Sequence, residues 1–167
     1  MRHPIVVSLC IAGAFGLSAC KKSTDAEVQR TIESVNVIEE SNLSDIMLTA
    51  ADPKEGGAYF QRAVGEKPES VALKRGLAKA LVRAKKPTES AIVWKQVIDS
   101  GEGTNEDRVG YADALIRGND WKRAEAELNS IPPTYETFER YRLEAMVADA
   151  NRNWKKADSF YETAIGL

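Results

Sequence analysis

The amino-acid sequence predicts an all-α fold, a solenoid of about four stacked helical hairpins behind an N-terminal export signal. Three observations predict it. Side-chain sizes recur every 33 or 34 residues, the recurring residues stand at helical spacing within each unit, and helix-start and helix-stop signals keep the same period. The 167-residue chain has the length of one domain, and 43% apolar with 29% charged residues is an ordinary globular composition.

The first 19 residues read as an address. Arg2 supplies the positive start, an apolar stretch follows from Ile5 to Leu17, and small residues precede Cys20. An apolar run of this length is short of the ~20 residues a membrane-spanning helix needs. Leu17-Ser18-Ala19-Cys20 resembles the bacterial lipobox, in which the chain is cut before the cysteine and the sulfur carries a diacylglycerol. The resemblance implies lipidation at Cys20, with the acyl chains anchoring the protein at about 0.8 kcal/mol per buried CH₂. The plainer alternative is an ordinary cleaved signal peptide that happens to contain a cysteine. Residues 20–36, opening with Lys21-Lys22-Ser23-Thr24-Asp25, read as a polar tether. Lys21 after the cysteine, instead of aspartate, resembles lipoproteins sorted to the outer membrane.

Loss of that segment removes Cys10 and His3, the sole histidine, so no intrachain disulfide remains and no imidazole. It also leaves 22 basic against 25 acidic residues. Such a balance argues against nucleic-acid binding, which depends on clustered positive charge. No metal, cofactor or catalytic set is read from the sequence: there is no metal-ligand cluster, phosphate-binding glycine loop, or nucleophile with its base. Glu125, Glu127 and Asp149 are lone carboxylates without a cleft to serve.

The repeating body covers residues 37–167. Small residues recur at Gly56, Ser90, Ala124 and Ala157, large ones at Phe60, Trp94, Leu128 and Tyr161, and apolar ones at Ala63, Val97, Ile131 and Ala164. Offsets of four and three place each trio on one helical face. Leu77-Ala78-Leu81 and Tyr111-Ala112-Leu115 do the same for first helices. Small residues let two helices approach, and the large one fills the space beside them. A single hairpin cannot bury that face alone, whereas stacked neighbours can.

The sequence places helix pairs at 38–65, 70–100, 105–131 and 135–166. In the first unit Asp52-Pro53-Lys54-Glu55 supplies an N-cap, a proline at the first helical position and a glutamate three residues after the cap. Gly56-Gly57 there is a poor helix former. Pro87 with Glu89 repeats the device in the second unit, and Thr104 with Asp107 caps the third. Breaks fall at Glu66-Lys67-Pro68, Gly101-Glu102-Gly103 and Ile131-Pro132-Pro133-Thr134. Pro53, Pro87, Trp121 and Trp154 keep the period and mark the start of each second helix. The last unit reads as one residue shorter in its first helix. No polar capping helix follows Ala164-Ile165-Gly166-Leu167, so further repeats or a partner are expected to cover that end.

This alternation in a 34-residue helix-turn-helix resembles the tetratricopeptide repeat. Beyond the generic repeat, four stretches resemble the TadD-type lipoproteins of the tight-adherence (Flp) pilus assembly system: Val35-Asn36-Val37-Ile38, Ser44-Asp45-Ile46-Met47-Leu48, the run from Leu73 to Lys85, and Ile131-Pro132-Pro133-Thr134-Tyr135-Glu136-Thr137-Phe138. Members of that family are longer and carry further repeats. The resemblance implies a periplasm-facing outer-membrane lipoprotein that assists assembly of the pilus secretion apparatus, including its secretin, through protein–protein binding. A general envelope scaffold that recruits cell-wall enzymes is the alternative.

First helices line the concave face of such a solenoid. Arg75, Lys79 and Arg83 step by four along one stripe, Arg117 and Arg142 continue it, and Asp113 lies between. Read as a binding site, this is a positive groove for an acidic tail or a terminal carboxylate; read plainly, it is a solvated helix surface. Val109 and Ile116 are expected as exposed apolar residues of the same groove. Trp94, Trp121 and Trp154 are expected in the core on the ground of their repeat phase, not as a stacking box.

Overall fold

Six of the helix starts in the body carry a side-chain cap. In the computed structural model, which describes Arg30 and residues 42–167, helix α1 covers residues 42–49 and leads into α2, Pro53–Glu66. The remaining α-helices are α3 Val71–Arg83, α4 Pro87–Val97, continued by a π-helical turn at Ile98–Glu102, α5 Asn105–Arg117, α6 Trp121–Asn129, α7 Phe138–Ala150 and α8 Trp154–Ile165. Asp52 accepts from the Lys54 amide at 2.9 Å, Ser70 from Leu73, Asp120 from Arg123, Thr137 from Arg140 and Asn153 from Lys156. Each satisfies one of the orphan donors of a first turn, a contribution of about 1 kcal/mol. Thr104 and Asp107 form the full reciprocal box at α5. The device expected at Pro87 differs: Lys86 occupies the cap position and makes no side-chain cap, and Glu89 instead binds the Lys86 ammonium at 3.1 Å.

The turns inside three hairpins repeat one another in backbone detail. Lys85, Asn119 and Arg152 adopt left-handed φ values of 60°, 64° and 59°. Around each, the next amide reaches back five residues, Lys86 to Leu81, Asp120 to Leu115 and Asn153 to Ala148, at 2.8–2.9 Å. This six-to-one closure absorbs the last carbonyls of the first helix and turns the chain sharply back. Between units the connection varies. Pro53 to Val71 and Pro87 to Asn105 are both 18 residues, and Trp121 to Phe138 is 17. The residue missing from the last period is therefore lost from the α6–α7 connection, not from α7, which matches α3 and α5 at 13 residues.

Stacking follows from which helices touch. The last three hairpins pack internally, and each second helix also packs on the next first helix, α2 on α3, α4 on α5 and α6 on α7, while α5 additionally meets α3 and α7. The result is an all-α solenoid. Its core holds most of the residues the period singled out: Gly56, Ser90, Ala124 and Ala157 are buried at the close crossings, as are Phe60, Trp94 and Leu128 beside them, whereas Ala63 and Tyr161 are only partly buried. A Cβ on Gly56 would sit 2.6 Å from the Met47 carbonyl oxygen, so the glycine that weakens α2 as a helix is what lets α1 come this close.

Large side chains of second helices enter sockets on the following first helix. A Cβ on Gly76 would lie 2.2 Å from Phe60 Cε1, and one on Gly110 would lie 2.7 Å from Trp94 Cζ2. In the third unit the corresponding residues are Leu128 and Leu143, both buried in the same core cluster. The bulk at this crossing comes from the second helix in the first two cases and from both helices in the third. Trp94 is core, as expected, and Trp121 packs partly against it, but Trp154 stands 60% exposed and is not a core residue. Its phase marks the start of α8, and the first turn of that helix leaves it uncovered.

Among the described residues no helix is long and apolar enough to cross a membrane. The signal peptide at 1–19, the lipidation site Cys20, the tether at 20–36 and the start of the repeats at 37–41 lie outside the described residues, Arg30 excepted.

Candidate functional site

The concave face is built from α3, α5 and α7, and a depression of about 680 Å³ opens where they meet. Val82, Val109, Leu143 and the edge of Trp94 contribute apolar surface, Leu48 and Tyr135 close two sides, and Gly110 thins the middle. Its charged lining comprises Lys79, Arg83, Glu106, Asp113, Arg117, Glu139 and Arg142. The volume falls within the range of about 300–1,000 Å³ of ordinary ligand sites.

Six of the eight sequence-predicted groove residues line this depression: Lys79, Arg83, Val109, Asp113, Arg117 and Arg142. Arg75 and Ile116 do not. Ile116 is 5% exposed and belongs to the core between hairpins, because its helical position turns it away from the concave face. Val109 lies in the floor, yet at 9% exposure it is a buried residue and not an exposed anchor.

Arg75 is a structural clamp. Its Nε and Nη2 donate to the two carboxylate oxygens of Asp107, each at 2.8 Å, and Nη2 also donates to the Glu102 carbonyl at 2.9 Å. The Asp107 side chain is only 4% exposed. Burial alone would push its carboxyl up, but the bonds from Arg75 and Thr104 outweigh burial and hold it below its ordinary value. Arg75 is raised above its own ordinary value, chiefly by the hydrogen bond to Asp107. A single residue thus caps α5 and ties it to α3.

The other cations of the stripe have carboxylate or carbonyl partners as well. Lys79 meets Glu106 at 3.5 Å, and Asp113 takes Arg117 at 2.6 Å and Arg142 at 3.6 Å. Arg142 also binds Glu139 at 2.8 Å. Arg83 donates to the carbonyls of Met47, Leu48 and Ala51 around the end of α1. The expected positive groove is therefore mostly a ladder of opposite charges between successive first helices. A sequence stripe on α3 reveals one side of that ladder; Glu106 and Glu139, which the sequence reading passed over, supply much of the other. The Lys79–Glu106 pair is exposed and contributes little to stability, about 0–1 kcal/mol, while Asp113 and Arg142 are half-buried.

The lone carboxylates are similarly occupied. Glu127 pairs with Arg108 at 2.5 Å, Glu125 accepts from Asn151 and Asp149 accepts from the Tyr161 hydroxyl at 3.3 Å. Burial, then Asp149, raises the Tyr161 phenol above its ordinary value. Arg140, itself buried, donates to Glu144 and to the carbonyls of Pro132 and Tyr135, pinning the proline-rich connection onto α7. Among the described residues no group of three or more His, Cys, Asp or Glu is placed to hold a metal ion.

No family model matches the chain, and no curated protein matches it either. Among solved structures it superimposes on MamA MSR-1 C2, a tetratricopeptide-repeat protein, with a TM-score of 0.58 and 14% sequence identity. The match covers 68% of this chain and 66% of that one, just under two thirds of its length. At that identity the likeness shows the fold alone: a tetratricopeptide-like α-solenoid.

Proposed function

We propose that this chain is an envelope adaptor that holds a segment of a partner protein in the groove of α3, α5 and α7. The observation that carries the reading is the groove itself, an apolar-floored depression of about 680 Å³ set among three first helices of the repeat stack. Recognition by shape and buried apolar surface, with charged residues fixing register, is what such a floor and rim offer.

The finer assignment is a lipid-anchored outer-membrane protein that assists assembly of a tight-adherence (Flp) pilus secretion apparatus, with the secretin or another assembly component as partner. Its support is sequence alone: the Leu17-Ser18-Ala19-Cys20 motif, and the resemblance spread over residues 35–38, 44–48, 73–85 and 131–138. Mild crosslinking and purification of the full-length protein from its own envelope, beside a Cys20→Ala control, tests it. Recovery of pilus-assembly proteins with the anchored form alone is the expected result. Cell-wall enzymes in their place would move the general scaffold to first position, and soluble wild-type protein would remove the lipid anchor.

A further inference from the structure

We propose that the occupant of the groove presents a carboxylate beside a bulky apolar side chain, and that Arg83 receives the carboxylate. This rests on the groove being the partner site and adds the chemistry of the partner.

The groove lining holds four cations, Lys79, Arg83, Arg117 and Arg142, against three carboxylates, Glu106, Asp113 and Glu139. Ion pairing assigns the carboxylates to Lys79, Arg117 and Arg142. Arg83 is the cation left with no carboxylate among the described residues, and its hydrogen bonds go to neutral carbonyls. A carboxylate brought into the groove meets a net positive charge at this position.

Donor geometry sharpens the point. A guanidinium has five N–H groups. Two of the bonds from Arg83 leave Nη1, to Met47 and Leu48, and one leaves Nη2, to Ala51. Nε–H and one Nη2 hydrogen have no protein acceptor among the described residues. Nε and Nη2 flank the side edge of a guanidinium, which binds a carboxylate in two parallel bonds. Two helical turns earlier on α3, Arg75 uses the same edge in that way, Nε to one oxygen of Asp107 and Nη2 to the other. The carbonyls at the end of α1 hold the Arg83 group oriented, so little side-chain freedom is lost when the edge is filled. Leu48 and Val82 stand in the same lining, which places apolar surface next to the edge and calls for an apolar side chain next to the carboxylate.

The test is an NMR titration of the isotope-labelled full chain with two synthetic twelve-residue peptides. Both carry a central Phe, flanked by Glu in one and by Gln in the other. The expected result is shifts at the Gly110 amide with both peptides, a shift at the Arg83 Nε–H with the Glu peptide, and about tenfold tighter binding of the Glu peptide, as a charge-assisted bidentate pair implies. Arg83→Lys keeps the charge and loses the edge, and is expected to bring the ratio down to about twofold. Equal binding of the two peptides to the wild type overturns the role of Arg83 and leaves the groove reading standing. Absence of groove shifts with either peptide overturns both. If Arg83→Lys disturbs the α1–α2 turn, seen as a lowered melting temperature, the wild-type ratio and the Arg83 Nε–H shift decide alone.

Discussion

Gly76→Ala puts the socket packing of the repeats to the test. In most helix interiors this substitution stabilises by about 1 kcal/mol, since alanine has less backbone freedom to lose and better helix propensity. At Gly76 the new methyl would sit 2.2 Å from Phe60 Cε1, 2.6 Å from Cδ1 and 2.8 Å from Cζ. Carbon pairs rest at about 3.5–4.0 Å, so the ring would have to withdraw by more than 1 Å. Phe60 is 1% exposed, packed in one cluster with Leu73, Leu77 and Leu81, and its ring meets Tyr59 edge-on at 5.0 Å. Overpacking of a filled core costs about 1–3 kcal/mol, which cancels or exceeds the propensity gain. The expected net effect is from about zero to 2 kcal/mol destabilising. Gly57→Ala provides the internal reference, because its new methyl meets nothing within 4 Å and should gain the full propensity term. Urea unfolding of the two variants is expected to separate them by about 1–3 kcal/mol. Adding Phe60→Leu to Gly76→Ala should recover part of the loss, since Leu128 opposite Leu143 shows the same crossing filled from both sides. Equal shifts for Gly57→Ala and Gly76→Ala, or no coupling between Gly76→Ala and Phe60→Leu, would refute the socket argument.

Three other outcomes follow from the same structure. The folded-state pKa of Asp107 lies below its ordinary 3.8, so its contribution to stability is present above that value and is lost as pH falls through the folded value. Lowering the pH from about 6 to 2 should therefore destabilise the wild type more than Asp107→Asn in thermal melts, and parallel pH profiles would contradict the pair's role. Lys85→Gly removes a left-handed strain of about 1–2 kcal/mol at the cost of about 0.5–1 in unfolded-chain entropy, so a gain of about 0.5–1 kcal/mol is expected in the unfolding midpoint, and a loss would dispute the turn. Trp94→Ala should cost about 3–5 kcal/mol while Trp154→Ala stays within about 0.5, a contrast between two tryptophans in different repeat phases that calorimetry reads directly.

The parts of the fold legible in the sequence are those that depend on one residue type at one position. Pro53, Pro87, Trp121 and Trp154 open the four second helices, and Thr104 with Asp107 closes the cap written in their spacing. What was not legible depends on two residues on different helices. Gly76 and Gly110 follow Phe60 and Trp94 by sixteen residues, a signal present in the sequence but meaningful only once each second helix is known to pack on the next first helix. The left-handed turns at Lys85 and Arg152 carry neither glycine nor asparagine, so residue preference did not mark them. Ile116 fell on the wrong face because a small error of phase, carried to the last turn of a 13-residue helix, moves a side chain from groove to core.

The charged stripe shows how a correct observation on one helix acquires a different meaning between helices. Arg75, Lys79 and Arg83 do share a face of α3, but α5 brings Asp107 and Glu106 to the first two and α1 brings carbonyls to the third. Two of those three side chains therefore act first on the angle between neighbouring first helices, and that angle sets how far the floor of Val82, Val109 and Leu143 stands open. Electrostatics and packing then divide the work. The buried Asp107 pair and the glycine sockets hold the stack, the half-buried Asp113 and the exposed Glu139 pair with cations of the groove, and Arg83 is left as a cation without a carboxylate among the described residues, beside an apolar floor. A partner bound there would gain its affinity from apolar burial and its register from a single carboxylate, so raising the salt concentration should weaken binding by only the contribution of that one contact.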